Sequence, residues 1–394
     1  MKVKSKVNIG IIGMGNMGKL YYEQLSHMEP CQVVSIWSQK EEKVRKLAEE
    51  YGVQGYTDYI AMLDAGNLDA VIVATPHYQH TAVTIEALRR NIHVLVEKPI
   101  AAHAKDAERM ISVYNEQKKL KPDLVFAAIY QQRTVPQWQY IKQLVQEGKL
   151  GRLMRFAWFN TNWFRPQAYF NVGNWRGTWN GEGGGVLLNQ CAHNLDMMWW
   201  LFGLPQAITA TASFGKYHNI EVEDEVHAVL EYTGGLMGSF VASTSEWPGT
   251  DRLEIVGEYG KLVYEQKKVT LYQNAESALD YIHHAKQAFG TVKHDVSEIA
   301  WDESTGPGHE RILEDFLQAI TEKREPLVPA AEGLSSLMII NGMVLSSLRE
   351  SKVRLPLDSD EYDRALQKLI QDSTYRKPES NHDHVMVDVK DSFR

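Results

Sequence analysis

Gly13, Gly15 and Gly18 stand in a Gly-x-Gly-x-x-Gly spacing, with Asn16 and Met17 inside it. A first glycine permits a tight turn, a second lets backbone N–H groups approach a pyrophosphate, and a third lets a helix pack closely on a strand. The N-terminus of the following helix favours the negative charge. The motif is weak alone and gains weight from its place after a β-rich run at 7–12 and before a helical stretch at 19–27. A dinucleotide is therefore expected, with Asn16 and Met17 at its phosphates. An acid that binds the ribose 2′-OH would stand about 20 residues further on. Here that point reads Trp37-Ser38-Gln39-Lys40, with no carboxylate before Glu41. A hydroxyl and an ammonium at Ser38 and Lys40 admit a 2′-phosphate. NAD and NADP both fit, with a slight preference for NADP.

Two further sets of residues could move a proton. Lys98 follows an apolar run at 92–96, at the strand end where ligands bind in parallel sheets. Beside a positively polarised nicotinamide its pKa is expected to fall, which suits a proton donor or acceptor. The second set lies at 186–202, an apolar stretch after Gly183-Gly184-Gly185 that reads as one helix. Asn189 and His193 are four apart and so are expected on one face, with Asp196 close to it. Imidazole titrates near neutral pH, whereas an amide holds a hydroxyl but takes no proton. Cys191 points elsewhere on such a helix, so no Cys–His nucleophile pair is expected.

Aromatic and cationic residues crowd the stretch before that helix. Trp163, Arg165 and Arg176 lie within 160–181, which reads as a long loop over the mouth of a site. Flat rings beside guanidinium and amide donors suit a sugar, whose C–H faces stack and whose hydroxyls need partners. Tyr130 and Arg133 follow the strand expected at 124–129 and are placed near the nicotinamide end.

The elements that must position these groups are legible from pattern. Strands at 7–12, 32–37, 69–74, 92–96 and 124–129 alternate with helices at 19–27, 41–51, 81–90 and 104–118. That alternation predicts a doubly wound parallel sheet. After a helix at 135–147 the strands grow longer, at 153–159, 207–214, 226–232, 236–244 and 253–256, with a hairpin turn at Thr233-Gly234-Gly235. An α+β domain with a large open, mainly antiparallel sheet is expected, closed by helices at 309–322 and 333–349. The division is 1–129 for the nucleotide and 130–394 for substrate and oligomerisation, with 374–394 as a polar tail. An open sheet face needs covering, which points to a homodimer or homotetramer.

Composition narrows the class. The 394 residues carry 42 Lys+Arg against 50 Asp+Glu, a net charge of −8. An acidic chain is not expected to bind nucleic acid or anionic lipid. No apolar run approaches the roughly 20 residues of a membrane span. Only two cysteines occur, so no disulfide framework or four-thiolate metal site is expected, and a reducing cytoplasm is the simplest location. No metal site is expected.

Ala74-Thr75-Pro76-His77-Tyr78-Gln79-His80 and Glu97-Lys98-Pro99, taken with the glycine motif, resemble the Gfo/Idh/MocA family of glucose–fructose oxidoreductase and inositol dehydrogenase. The likeness continues through Gln132-Arg133, Gly183-Gly184-Gly185 and Asn189-x-x-x-His193-x-x-Asp196, and covers roughly 7–372. It implies a Rossmann domain followed by an α/β domain, and hydride transfer between NAD(P) and a sugar or polyol carbon. It implies cofactor contacts at Thr75, Pro76, His80, Glu97 and Lys98, with Glu97 read as positioning the loop. In the family the Asn189 position is commonly Asp. The asparagine here shifts the base role to His193, relayed through Lys98, and Asn189→Asp is expected to leave a working enzyme. Two other readings stay open: NAD-dependent, redox-assisted glycoside cleavage, and a non-catalytic dinucleotide-sensing regulator.

Overall fold

In the computed structural model, residues 6–299, 301 and 308–377 are described. Six strands form the first sheet: β1 (Val7–Ile12), β2 (Cys31–Trp37), β3 (Gln54–Tyr56), β4 (Ala70–Val73), β5 (His93–Val96) and β6 (Phe126–Ala128). All pair in parallel, in the order β3-β2-β1-β4-β5-β6. β4 and β5 are buried at every residue, as strands covered on both faces must be. The covering helices include α1 (Asn16–Ser26), α2 (Glu41–Tyr51), α3 (Tyr59–Asp64), α4 (His77–Arg89) and α5 (Ala104–Leu120).

The differences from the sequence reading are local. β3 and α3 were not expected; β3 is a three-residue, partly exposed edge strand with too short a pattern to register. α4 starts at His77, four residues before the expected 81, because Pro76 serves as its N-cap. α1 likewise begins at Asn16, directly on the glycine turn.

The second sheet has nine strands: β7 (Leu153–Asn160), β8 (Ala207–Phe214), β9 (Glu223–Glu231), β10 (Met237–Ser243), β11 (Asp251–Gly257), β12 (Gly260–Glu265), β13 (Lys268–Asn274), β14 (His294–Ile299) and β15 (Val353–Arg354). Their order is β14-β13-β12-β11-β7-β10-β9-β8-β15. Every pair is antiparallel except β7–β10, so the sheet is mixed but mostly antiparallel. The turn Thr233–Gly235 joins β9 to β10 as expected, with Gly234 at φ +80°.

Helix Gly333–Arg349 packs on β8, where Ser346 Oγ and Ser347 Oγ accept the N–H groups of Ala210 and Ala212 at 2.9 and 2.8 Å. The stretch Ala330–Arg349 is long and apolar enough to cross a membrane by length and composition, but 61% of it is buried within the fold. The chain also returns to the first sheet: Ala128 N–H donates to Val328 O at 3.1 Å, so a late segment caps the β6 edge. Of the tail expected at 374–394, residues 378–394 lie outside the described residues.

Candidate active site

The glycine turn is shaped by contact. A Cβ on Gly18 would fall 2.0 Å from Gly13 O, and one on Gly13 would fall 2.4 Å from Ala74 O. Gly13 also sits at φ +110°, where other residues are strained. Above Gly15 nothing lies within 4 Å. α1 has Gly15 at its N-cap, no side-chain cap and no acid in its first turn, which Asn16 and Met17 open. Open space over an uncapped helix N-terminus fits a pyrophosphate. At the end of β2, Ser38 Oγ accepts the Lys40 N–H at 3.4 Å, and Lys40 is the N-cap of α2. Lys43 is close by; burial, then the charges of Lys19 and Lys40, lower its pKa. Lys43 was not singled out from the sequence, although it lies one turn beyond Lys40.

His80 lies behind the cofactor loops rather than at their surface, a correction to its expected contact role. It is 1% exposed, with Nδ1 2.9 Å from Pro99 O and Nε2 2.7 Å from Thr75 O. The ring therefore sits between the Thr75-Pro76 and Lys98-Pro99 loops and, kept neutral by burial, donates to one of the two carbonyls. Glu97 also turns inward. Its carboxylate accepts Tyr21 OH and, at 2.8 Å, the Lys98 N–H. Burial raises its pKa, against the pull of Lys98.

Lys98 Nζ donates to the backbone carbonyl of Asn189 at 2.9 Å. Burial lowers the Lys98 pKa, opposed by Glu97 and reinforced by Arg176. The expected single helix is broken here: Val186–Gln190 is a wider π-turn, Cys191 is a joint, and Ala192–Phe202 is α-helical. The wider pitch spoils the i,i+4 relation between Asn189 and His193. The Asn189 amide reaches Glu182 and, at 3.3 Å, Tyr169 Oη. The His193 ring instead meets Gln131 Nε2 at 3.3 Å and stands edge-on to Tyr130 at 6.0 Å. Lys98 connects the two, bonding one and acting on the other by charge. Burial first, then Lys98 and His309, push the His193 pKa well below 6.5, so the ring is neutral at pH 7.

Glu182, Glu223 and His77 are participants that the sequence reading passed over. Glu182 is buried in the glycine loop, and burial raises its pKa. Glu223 Oε1 accepts the N–H groups of Gly185 and Leu187 at 2.8 and 3.1 Å, which pins the π-turn. His77 Nδ1 lies 3.0 Å from Glu182 O, so the first turn of α4 holds the substrate-side loop. The one signal was for Glu182, a charge inside a glycine-rich run.

Arg133 was expected to face the substrate, and the structure corrects this. Its Nε and Nη2 hold the two oxygens of Asp196 at 2.8 and 2.6 Å, while Nη1 pairs with Glu332. The side chain is 1% exposed and each of its three guanidinium nitrogens meets a carboxylate. Tyr130 is buried too, with its hydroxyl 3.2 Å from Ser336 Oγ, and only its ring serves the site. Trp163, Arg165 and Arg176 do gather. Trp163 Nε1 donates to Asn160 Oδ1 at 2.7 Å, and Arg165 lies over the Trp163 ring at 5.6 Å. Both arginines lie over Tyr169, at 5.2 Å for Arg165 and 4.5 Å for Arg176. Cys191 is occupied by Asn160, as a Cys–His pair would not be. Among the described residues no group of acids, histidines and cysteines could hold a metal ion.

A six-stranded parallel sheet with an anion-ready helix end, and a lysine at the exit of β5, are the parts of an NAD(P)-binding oxidoreductase. Residues 7–122 match the family model described as "Oxidoreductase family, NAD-binding Rossmann fold", and 142–355 match its "C-terminal alpha/beta domain". The chain belongs to the Gfo/Idh/MocA oxidoreductase family. It is similar to levoglucosan dehydrogenase of Pseudarthrobacter phenanthrenivorans, 24% identical over 89% of this chain and 98% of that one. Myo-inositol 2-dehydrogenase of Thermotoga maritima is 24% identical over 67% of this chain and 77% of its own. Among solved structures, the WlbA dehydrogenase of Chromobacterium violaceum, in complex with NADH and UDP-GlcNAcA, superposes with a TM-score of 0.77. It is 25% identical, over 91% of this chain and 98% of that one.

Proposed function

We propose that this oxidoreductase transfers a hydride between a nicotinamide cofactor and a secondary alcohol or ketone carbon of a sugar, polyol or glycoside, with Lys98, His193 and Asn189 at the reacting centre. The observation that carries the reading is the Lys98 Nζ bond to Asn189 O at 2.9 Å, which joins the cofactor-side strand end to the substrate-side turn. The relatives named levoglucosan and myo-inositol dehydrogenase agree with a carbohydrate substrate.

When bound, the nicotinamide supplies the hydride acceptor in oxidation and the donor in reduction. An alcohol that gives up hydride must also give up its hydroxyl proton. Neutral His193 takes that proton, at the Nε2 whose 3.3 Å contact with Gln131 is long enough to give way. Lys98 steadies the alkoxide character of the transition state and can pass a proton on, since burial lowers its pKa. Asn189 orients a neighbouring hydroxyl.

For the cofactor we favour NADP. Ser38, with Lys19, Lys40 and Lys43 gathered at the end of β2 and no carboxylate before Glu41, supports a 2′-phosphate site. We also propose the sequence-based division at 129/130, consistent with β6 ending at Ala128. A homo-oligomer through the outer face of the second sheet is supported by exposed Phe159, Val229 and Met237 on neighbouring strands. Two buried, unbridged cysteines agree with a reducing cytoplasm.

Lys98→Ala tests the assignment. It should still quench or enhance NAD(P)H fluorescence on binding, yet lose about 10²–10⁴-fold in kcat. A variant that keeps more than half of the wild-type kcat overturns the role of Lys98.

A further inference from the structure

We propose that the substrate of this site carries an oxyanion, the carboxylate of a sugar acid or the phosphate of a sugar phosphate, held by Arg165, Arg176 and Lys377. The proposal rests on the oxidoreductase reading above and specifies its substrate.

The three cations converge on one spot. Arg176 Nη1 donates to Tyr169 Oη at 2.7 Å, and Arg165 lies over the same ring at 5.2 Å. Lys377 Nζ donates to the Arg176 carbonyl at 2.8 Å, so the chain beyond the helix Ser359–Asp372 returns to the mouth of the site. Tyr169 Oη also touches the Asn189 amide, whose own carbonyl holds Lys98. The cations therefore border the reacting centre.

None of the three has a carboxylate within 4.0 Å among the described residues, whereas Arg90, Arg133, Arg155 and Arg252 elsewhere each hold one. The acid that stands nearby, Glu182, acts on Arg176 and Lys377 by charge but makes its hydrogen bonds to the Gly177 N–H at 2.6 Å and the Asn189 amide. Each guanidinium lies over an aromatic ring, Arg176 over Trp175 at 4.3 Å and Arg165 over Trp163 at 5.6 Å. Each makes one side-chain hydrogen bond, Arg165 to Phe164 O and Arg176 to Tyr169 Oη. A guanidinium has five N–H groups and accepts nothing. A sugar hydroxyl both donates and accepts, while a carboxylate or phosphate only accepts. A donor-only wall that is planar and pre-oriented fits the oxyanion.

The test is steady-state turnover, with NAD and NADP separately, of matched triples: a neutral hexose or polyol, its aldonic or uronic acid, and its phosphate ester. One anionic member of a triple should exceed its neutral parent in kcat/KM by about 10- to 100-fold, the size of one charged hydrogen-bond pair. That preference should shrink as salt is raised. In Arg165→Gln/Lys377→Gln the ratio of anionic to neutral kcat/KM should contract toward one, with the far-ultraviolet circular dichroism unchanged. The acid and phosphate arms distinguish the two sources of the oxyanion. Neutral parents turned over as well as their anions, or a preference that survives the double substitution, would overturn the proposal while leaving the oxidoreductase reading in place. No turnover of any member would overturn both.

Discussion

Glu182 holds the side-chain amide of Asn189 on one carboxylate oxygen and the Gly177 N–H, at 2.6 Å, on the other. The amide is thereby oriented, nitrogen toward Glu182 and oxygen away from it. Asn189→Asp would set a second carboxylate against the first inside a buried site. Two such groups resist joint ionisation, and one would be protonated or displaced. This contact sets a cost on aspartate against the family pattern, which points to a working enzyme. Asn189→Asp is expected to lose at least about tenfold in kcat/KM, and Glu182→Gln/Asn189→Asp to recover most of it. A fully active single variant would sink the idea.

The His193 ring should define the acid limb of oxidation. Its pKa is lowered, so the free base is present at neutral pH and is lost only as pH falls through that lowered value. The limb of kcat/KM is therefore expected below pH 6.5, not around it. His193→Asn should abolish the limb and reduce kcat by about 10²–10⁴-fold. Should the variant keep the wild-type profile and rate, another group is the base.

Cofactor choice should respond to the β2 end. Lys43→Gln is expected to raise KM for NADP several-fold and leave KM for NAD nearly unchanged. Ser38→Asp is expected to reverse the preference, because a carboxylate repels the 2′-phosphate and accepts from a 2′-OH. The measurement is the ratio of kcat/KM for the two cofactors. If neither substitution moves that ratio, the adenosine ribose lies elsewhere.

Arg133 is expected to matter for stability rather than recognition. Removing it in Arg133→Ala leaves Asp196 buried, 1% exposed, without its charge partner. Breaking such a pair typically costs about 3–5 kcal/mol. Urea unfolding should show that loss, and ligand affinity of the folded fraction should change little. Unchanged stability with a raised substrate KM would return Arg133 to the substrate.

What could be read from the chain was what repeats or what has fixed spacing. β1 with its glycine turn, α2, the hairpin at Thr233–Gly235 and helix Gly333–Arg349 all follow from periodicity and turn chemistry. β12 and β13 escaped because Gln266 and Lys267, both at positive φ, form a tight turn without the usual Gly or Asn signal. The π-turn at Val186–Gln190 escaped because its residues are ordinary helix formers. It is held from outside by Glu223, 38 and 36 residues away in the chain, on the N–H groups of Gly185 and Leu187. Arg133 was misread for the same reason. A guanidinium reads alike whether it meets a substrate or Asp196, and only the folded contact decides.

The buried Arg133 fork also bears on how the site opens. It binds the segment just past β6 to helix Ala192–Phe202 and to Glu332, so the two sheets are riveted together close to the reacting centre. Swinging one sheet away from the other would bare an unpaired charge in a dry interior, at a cost of several kcal/mol. A hinge between the layers is thereby closed off as the everyday route for substrate. The enzyme is built as a fixed vice, its two layers pinned beside the reacting centre.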